Sequence, residues 1–390
     1  MAAIRTAIIG VSGFGRVHYA DLLSGVERGT LSAKAACIIN QDEEADKCTR
    51  LRELGCTIYD DFQALLDAEA TELDLVQIPT GIPLHRPMTE AAVAAGCNVL
   101  VEKPVAGSAA DAHAMQAARN ASGKLVAVGF QRMYDPAVWA LKRRLLDGSI
   151  GRIERITGSG LWPRARAYYD RNAWAGCLRS GDHQVLDSPI NNAMAHYVML
   201  MLFFAGSDVA SPATVADVRS ELYRANEIES PDTMWVGATS PEGVAFSFAA
   251  SHCCMRNEGP TIRIQGSAGV AEWHWGGDED CGWLATDAGH VEHFTGLRGD
   301  ALRAGLIDKV AAAIRGESVE YCDLDIAVAH TELVDALHAA SPTVTDLPPD
   351  SYIIGQDGDS PLRIINSITG IMQAHLTTGL SFSQQGCNWS

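Results

Sequence analysis

The chain has 390 residues, 47% hydrophobic and 20% charged, the make-up of a folded protein too long for one ordinary core. Its formal net charge of -18 excludes nucleic acid and anionic membrane surfaces as partners, because both demand a basic face. No apolar run reaches the length of a membrane span, and the 10 cysteines show neither a CxxC pair nor regular spacing. A cytoplasmic protein is therefore expected, with no membrane partner, reduced thiols and no metal site.

Residues 4–11 form a near-continuous apolar run ending in Gly10-Val11-Ser12-Gly13-Phe14-Gly15-Arg16, after which a helix is expected with Val17, Ala20, Leu22 and Leu23 on its inner side. Strand, glycine turn and helix together are a dinucleotide fingerprint. Gly10 makes the tight turn, Gly15 lets helix and strand approach, and a pyrophosphate sits on the free N–H groups of the helix start. Ser12 stands where a second glycine is usual, with Gly13 beside it to supply the close backbone approach.

Alternation continues with strands at 35–40, 56–59, 73–78, 98–101 and 125–130 and helices at 42–54, 61–66, up to Ala95 and at 109–120. This is the pattern of a doubly wound parallel sheet. The adenosine ribose is expected at Asn40 and Asp42, at the end of the second strand. Asp42 points to NAD, whereas Arg16 at the helix start keeps NADP open. The strand Asn98 to Val101 runs directly into Glu102-Lys103-Pro104, which places Lys103 at the carboxyl end of a sheet strand, where ligands of open α/β sheets bind. The plainer alternative is a capped surface strand stopped by Pro104.

Beyond residue 134 the character changes. A helix through Leu146 is followed by strand-like stretches at 151–162, 213–223, 233–239, 244–252, 260–266 and 269–275. The expected architecture is a Rossmann domain over residues 1–133 and an α+β domain over 134–390. The second domain carries a large, mostly antiparallel open sheet with helices on one face, and its other face is expected to meet a second subunit. Ser188 and Pro189 start an apolar helix on which Asn192 and His196 share a face. Such a histidine titrates in the range useful for proton transfer, and it also fits a buried ring satisfied by the Asn one turn back.

In this order, the Gly10 to Gly15 turn, the Pro79-Thr80 to His85 loop, Glu102-Lys103-Pro104, Arg132 with Pro136, Asn192 through His196, and a C-terminal helix ending in Gly379-Leu380-Ser381 before Trp389 resemble the Gfo/Idh/MocA oxidoreductases. The resemblance implies NAD or NADP, a homodimer or homotetramer through the C-terminal sheet, and hydride transfer between the nicotinamide and a carbinol carbon of a sugar, polyol or related compound. It makes Lys103 the group that polarises the oxygen and His196 the acid/base, with Asn192 orienting its ring. The cofactor contacts it implies are Gly10, Ser12, Gly13, Phe14, Gly15, Asn40, Asp42, Pro79, Thr80, His85, Glu102, Lys103 and Gln131. Substrate contacts are expected from Lys103, Arg132, Trp162, Arg164, Asn192 and His196, the arginine and aromatic residues of 162–169 suiting a carboxylated or phosphorylated sugar as well as a solvated loop.

Many relatives carry Asp where this chain has Asn192, which weakens His196 as a base or shifts the load to Lys103. Asp187 supplies a substitute carboxylate only if the turn before Pro189 folds back, and it is expected instead to be part of the helix start. Two rival readings are an NAD-retaining glycoside hydrolase and a non-catalytic dinucleotide sensor. The His252-Cys253-Cys254 and His290 to His293 groups do not make a metal site, since adjacent strand residues point to opposite faces.

Overall fold

The structure is a computed structural model that describes residues 2–277 and 279–389. The chain divides into two compact units, one formed by the chain up to Asp135 together with Gly299–Val328, the other by Pro136–Arg298 together with the chain from Ala329 onward. The expected cut between 133 and 134 lies beside the first junction; the return of Gly299–Val328 has no counterpart in it. Among the described residues no helix is long and apolar enough to cross a membrane.

In the first unit, β1 (Ile4–Ile9) is buried except at Arg5, which is neutralised by Asp74 through its backbone N–H, Nε and Nη2. There follow α1 (Gly15–Glu27), β2 (Leu31–Cys37), α2 (Ala45–Glu53), β3 (Thr57–Tyr59), α3 (Phe62–Glu69), β4 (Leu75–Ile78), α4 (Ile82–Ala94), β5 (Asn98–Val101), α5 (Ala109–Ser122) and β6 (Val126–Val128). Asp61 and Ser108 cap α3 and α5 by accepting the backbone N–H three residues on, a bond worth about 1 kcal/mol per helix. The described strands form a six-stranded parallel sheet in the order β3-β2-β1-β4-β5-β6. The order reverses between β1 and β4, and that switch point is where such sheets bind their ligands.

Strand β2 begins earlier than its expected start at Ala35, because Leu31, Ser32 and Ala33 pair with Ile4, Arg5 and Thr6 of β1. The returning segment carries the helix Gly299–Ile314 and is tied to this unit by ion pairs of Arg303 with Asp21, Arg28 with Asp308 and Arg119 with Asp325. The Cys322 carbonyl also accepts the Val128 N–H at 2.9 Å, extending the edge of β6. The Arg303 and Arg119 pairs join residues 282 and 206 positions apart, so no local pattern announces them.

The second unit contains α6 (Pro136–Leu146), β7 (Ile153–Leu161), α7 (Arg166–Tyr169), the two-residue strands β8 (Arg179–Ser180) and β9 (His183–Gln184), α8 (Ala195–Ala205), β10 (Ala216–Arg224), β11 (Thr233–Thr239), β12 (Ala245–Ser251), β13 (Glu258–Gly266), β14 (Gly269–Trp275), β15 (Glu279–Thr286) and β16 (Val291–Arg298). Among the described residues these build a nine-stranded sheet in the order β16-β15-β14-β13-β7-β12-β11-β10, with Thr345–Asp346 at the far edge. It is antiparallel except where β7 meets β12 and where β10 meets Thr345–Asp346. Strands β15 and β16 escaped the sequence pattern. Asp280, where an apolar residue would be expected, is buried and accepts from Tyr197 Oη at 2.9 Å and Trp273 Nε1 at 3.2 Å.

Helix α8 is buried from Ala195 to Phe204, the state its all-round apolar sequence demands. Its last carbonyls meet Lys142, whose Nζ donates to Phe203 O at 2.7 Å and to Gly206 O. The opposite face of the sheet, expected to be open to a second subunit, is covered across β7 and β10 to β12 by the chain's own C-terminal segment. Thr157 Oγ1 donates to Leu376 O at 2.7 Å, and Phe382 and Trp389 pack with Leu161, Tyr223, Trp235 and Ala249. Those side chains are apolar on the outward face too, so leaving it bare would expose a hydrophobic patch.

Candidate active site

In the first unit the glycine turn is shaped by contact. A Cβ on Gly15 would lie 2.7 Å from the Gly10 carbonyl oxygen and 3.7 Å from Pro79, so only glycine lets α1 start so close to β1. Gly13 has φ +55° with nothing within 4 Å of its missing Cβ, leaving its backbone approachable. Phe14 is half exposed beside it. Pro79 and Thr80 stand against this turn at the carboxyl end of β4.

Ser12, in the place of the usual glycine, donates to Glu44 at 2.8 Å and shares a hydrogen bond with Asn40, whose Nδ2 reaches it at 3.0 Å. Glu44 also pairs with Lys47 at 2.6 Å, and these bonds hold its carboxyl below the usual carboxylate range. The carboxylates at this edge of the turn are Glu44, on Ser12, and Glu43, which accepts from Asn40 Nδ2 at 2.9 Å; Asp42 is exposed and makes none of these bonds. Arg16 is exposed. Glu44 was missed in the sequence because it lies two residues past the expected position, and α2 starts only at Ala45.

Lys103 follows β5, and its peptide bond to Pro104 is cis. Its backbone N–H donates to Glu102 Oε2 at 2.9 Å, while Glu102 Oε1 meets His18 Nε2 at 2.8 Å and His18 Nδ1 lies 3.3 Å from Gln77 Oε1. Burial pushes the Glu102 carboxyl up, but His18, Arg303 and Lys103 together outweigh it, and the carboxyl ends below its ordinary value. Glu102 therefore points inward as an anchor. The inner face of α1 is Gly15, His18, Asp21, Leu22 and Gly25, while Ala20, expected inside, is exposed; His18 was missed because a polar residue on that face is buried only by its pairing with Glu102.

His85 is buried, with Nδ1 2.9 Å from Pro104 O and Nε2 3.1 Å from Thr80 O, so it braces the loops after β4 and β5 against each other. Burial lowers its proton affinity against the pull of those carbonyls. After β6, Gln131 and Arg132 lie on a short 3-10 turn, and Gln131 Oε1 is a buried acceptor without a partner among the described residues. The close-packed glycine turn and this orphaned acceptor fit a dinucleotide.

In the second unit β7 delivers Trp162, Pro163 and Arg164. Trp162 Nε1 donates to Gly259 O at 3.1 Å, with its ring edge-on to Tyr197 and Trp275. The helix expected from Ser188 is in two pieces. Ser188 caps it by accepting from the Asn191 N–H at 3.1 Å, but residues Pro189–Ala193 form a π-helical turn and α8 begins after Met194. Asn191 donates from Nδ2 to the carbonyls of Val185 and Leu186, tying that turn to the segment before it, and such π turns concentrate at functional sites. The i, i+4 spacing of Asn192 and His196 is interrupted there, and His196 is buried.

Asp187 departs from its expected role at the helix start. Leu186 has φ +49°, a left-handed conformation for a non-glycine residue, and it turns Asp187 back. The Asp187 carboxylate accepts from Asn192 Nδ2 at 3.0 Å and from the Gly176 N–H at 2.7 Å. Asn192 Nδ2 also reaches Tyr168 Oη at 3.3 Å, a partner the sequence did not single out. His252 Nδ1 donates to Trp162 O at 2.7 Å, and no cluster of three His, Cys, Asp or Glu among the described residues is placed to hold a metal ion.

Residues 4–130 match the family described as GFO_IDH_MocA, an oxidoreductase family with an NAD-binding Rossmann fold. An inositol 2-dehydrogenase of Klebsiella pneumoniae (strain 342) is 31% identical over 270 residues, 69% of this chain and 73% of that protein. A D-apiose dehydrogenase of Paraburkholderia graminis is 35% identical over 150 residues, and there the match spans only 37% of either chain. Among solved structures, the WlbA dehydrogenase of Bordetella pertussis in complex with NADH and UDP-GlcNAcA superposes with a TM-score of 0.70 at 20% identity, covering 87% of this chain and 97% of that one, a likeness of fold. The glycine turn, the parallel sheet that carries it and the match along two thirds of the inositol 2-dehydrogenase place this chain in the Gfo/Idh/MocA family of oxidoreductases, whose Rossmann fold binds NAD.

Proposed function

We propose that the protein is an NAD-dependent dehydrogenase that moves a hydride between the nicotinamide and a carbinol carbon of a sugar, polyol or related hydroxy compound. The observation that carries this reading is the anchoring of Lys103. Its backbone is held by Glu102, and its proline neighbour by His85, which fixes the root of the ammonium at the carboxyl end of β5.

NAD, when bound, supplies the hydride acceptor. The Gly10 to Gly15 turn and the first N–H groups of α1 hold the pyrophosphate, with Pro79 and Thr80 beside them. Ser12, Asn40 and Glu44 take the ribose, and the carboxylate favours its free hydroxyls over a 2′-phosphate, hence NAD over NADP. Lys103 binds the reacting oxygen and stabilises the alkoxide, and His196 takes the hydroxyl proton in oxidation and returns it in reduction. Asn192, held by Asp187, orients the group beside it.

The test is a panel of polyols, aldoses and their acids followed at the nicotinamide absorbance with NAD and NADP separately. Lys103→Met and His196→Asn are expected to lower kcat by roughly 10²- to 10⁴-fold while NADH still binds. Failure of the parent protein to transfer hydride to or from every compound, or full activity in Lys103→Met, would overturn the assignment.

A further inference from the structure

We propose that Arg164 and Arg171 form an anion subsite in the second unit, so that the substrate bears a carboxylate or phosphate. The proposal rests on the dehydrogenase reading above for the hydroxyl chemistry and adds the charge of the molecule that carries it.

Both guanidinium groups stack on one ring. The Arg171 carbon lies 3.5 Å and the Arg164 carbon 4.8 Å from the centre of Tyr168; Arg164 is also 6.0 Å from Trp162, and Arg171 5.3 Å from Trp174. Stacking on aromatic faces fixes a guanidinium while leaving its N–H fork available for two-point binding of an oxyanion. Arg164 Nη1 donates to Pro163 O at 3.0 Å and Arg171 Nη1 to Tyr168 O at 2.5 Å, and Arg164 also hydrogen-bonds the Tyr168 side chain. Arg164 Nε is buried without a partner among the described residues.

Among the described residues neither arginine meets a carboxylate, although the chain holds 48 acidic residues against 30 basic ones. Neighbouring arginines behave differently. Arg166 pairs with Asp170 at 2.9 Å and Arg224 with Asp346 at 2.5 Å, and both line a cavity of about 620 Å³ with Tyr352 and Gly176, so its cations are already neutralised. Arg164 and Arg171 differ in sharing one aromatic ring, which gathers their two charges around Tyr168. Their field is felt by His252, which burial and then Arg164 and Arg171 push down to about 3, keeping the ring neutral. Tyr168, on which both stack, touches Asn192 through its hydroxyl, so the subsite abuts the residue assigned to substrate orientation.

The experiment is calorimetric titration of the full chain with D-glucose, D-glucuronate and D-glucose 6-phosphate, and with the corresponding galactose compounds, in the parent and in Arg164→Gln, Arg171→Gln and Arg166→Gln. Expected is at least about tenfold tighter binding of an acid or a phosphate than of the matching neutral sugar in the parent. That ratio is expected to collapse towards one in Arg171→Gln and Arg164→Gln and to persist in Arg166→Gln. The tighter of the two anionic arms identifies the group as carboxylate or phosphate. Arg171 is exposed, so its variant remains readable if Arg164→Gln fails to fold.

Binding of no anionic probe, equal binding of neutral and anionic sugars, a ratio that survives in both site variants, or an equal loss in Arg166→Gln would each overturn the subsite. Because binding is read without turnover, anion preference with no hydride transfer defeats only the dehydrogenase reading. Turnover of neutral polyols with no anion preference defeats only the subsite.

Discussion

Asn192 donates to the Asp187 carboxylate at 3.0 Å, so the turn before the helix brings a carboxylate within hydrogen-bond distance of position 192. The amide carries the donor and the acid the charge, so the bond between them is charge-assisted.

Substituting Asn192→Asp, which restores the residue common in relatives, is therefore expected to harm the fold. Two carboxylates about 3 Å apart cannot both ionise, so the folded variant holds a proton that the unfolded chain releases. A proton held only by the folded state makes stability fall as pH rises above the usual carboxylate range. Urea unfolding at about pH 5 and about pH 8 checks this: the deficit against the parent should be larger at the higher pH.

Removing the acid is destabilising too, through lost hydrogen bonds instead of a second charge. Asp187→Leu leaves the Gly176 N–H and the Asn192 amide without their acceptor and is expected to cost about 1–3 kcal/mol, measured by the same unfolding experiment. A cost near zero would mean that water replaces the carboxylate freely.

Glu102 sets an acid limit. Its folded value lies below the unfolded one, so its contribution is present above the unfolded pKa and lost as pH falls through the folded value. Glu102→Gln should flatten the acid limb of the stability profile, and His18→Ala, which strands the buried charge, should cost about 3–5 kcal/mol near neutral pH. Thermal unfolding across the acid range reads both.

Lys142 acts at the other end of the scale. Burial lowers its ammonium from 10.5 to about 7, so between these values the unfolded chain binds more protons than the folded one. Stability therefore rises with pH through that window, and Lys142→Met should remove the rise. An unchanged slope in the variant would show that another group carries it.

Gly15→Ala and Gly13→Ala separate packing from ligand approach. The first puts a Cβ 2.7 Å from a backbone oxygen and should lower stability as well as NADH affinity. The second meets no neighbour, so it should fold with a penalty of about 1 kcal/mol for its φ and lose NADH affinity, read by fluorescence titration.

The repeating βα pattern made the parallel sheet legible, because strands buried on both faces are apolar throughout and glycine is required where helix and strand touch. The lysine after β5 and the histidine in the apolar helix were legible for a related reason, since a polar residue at the end of a buried element stands out. What the sequence could not determine are relationships between residues distant in sequence or separated by an unusual backbone. The return of Gly299–Val328 rests on contacts between residues far apart in sequence, the buried face of Leu302, Leu306, Ile307 and Val310 and pairs such as Arg119 with Asp325. The bracing of Lys103 by Glu102 and His18 needs three elements at once, and the turn that brings Asp187 to Asn192 needs Leu186 at positive φ and a π turn after it. Local pattern records which face of an element is buried; which polar groups meet inside is decided only when the elements pack, because every buried donor must then find an acceptor wherever the chain has brought one.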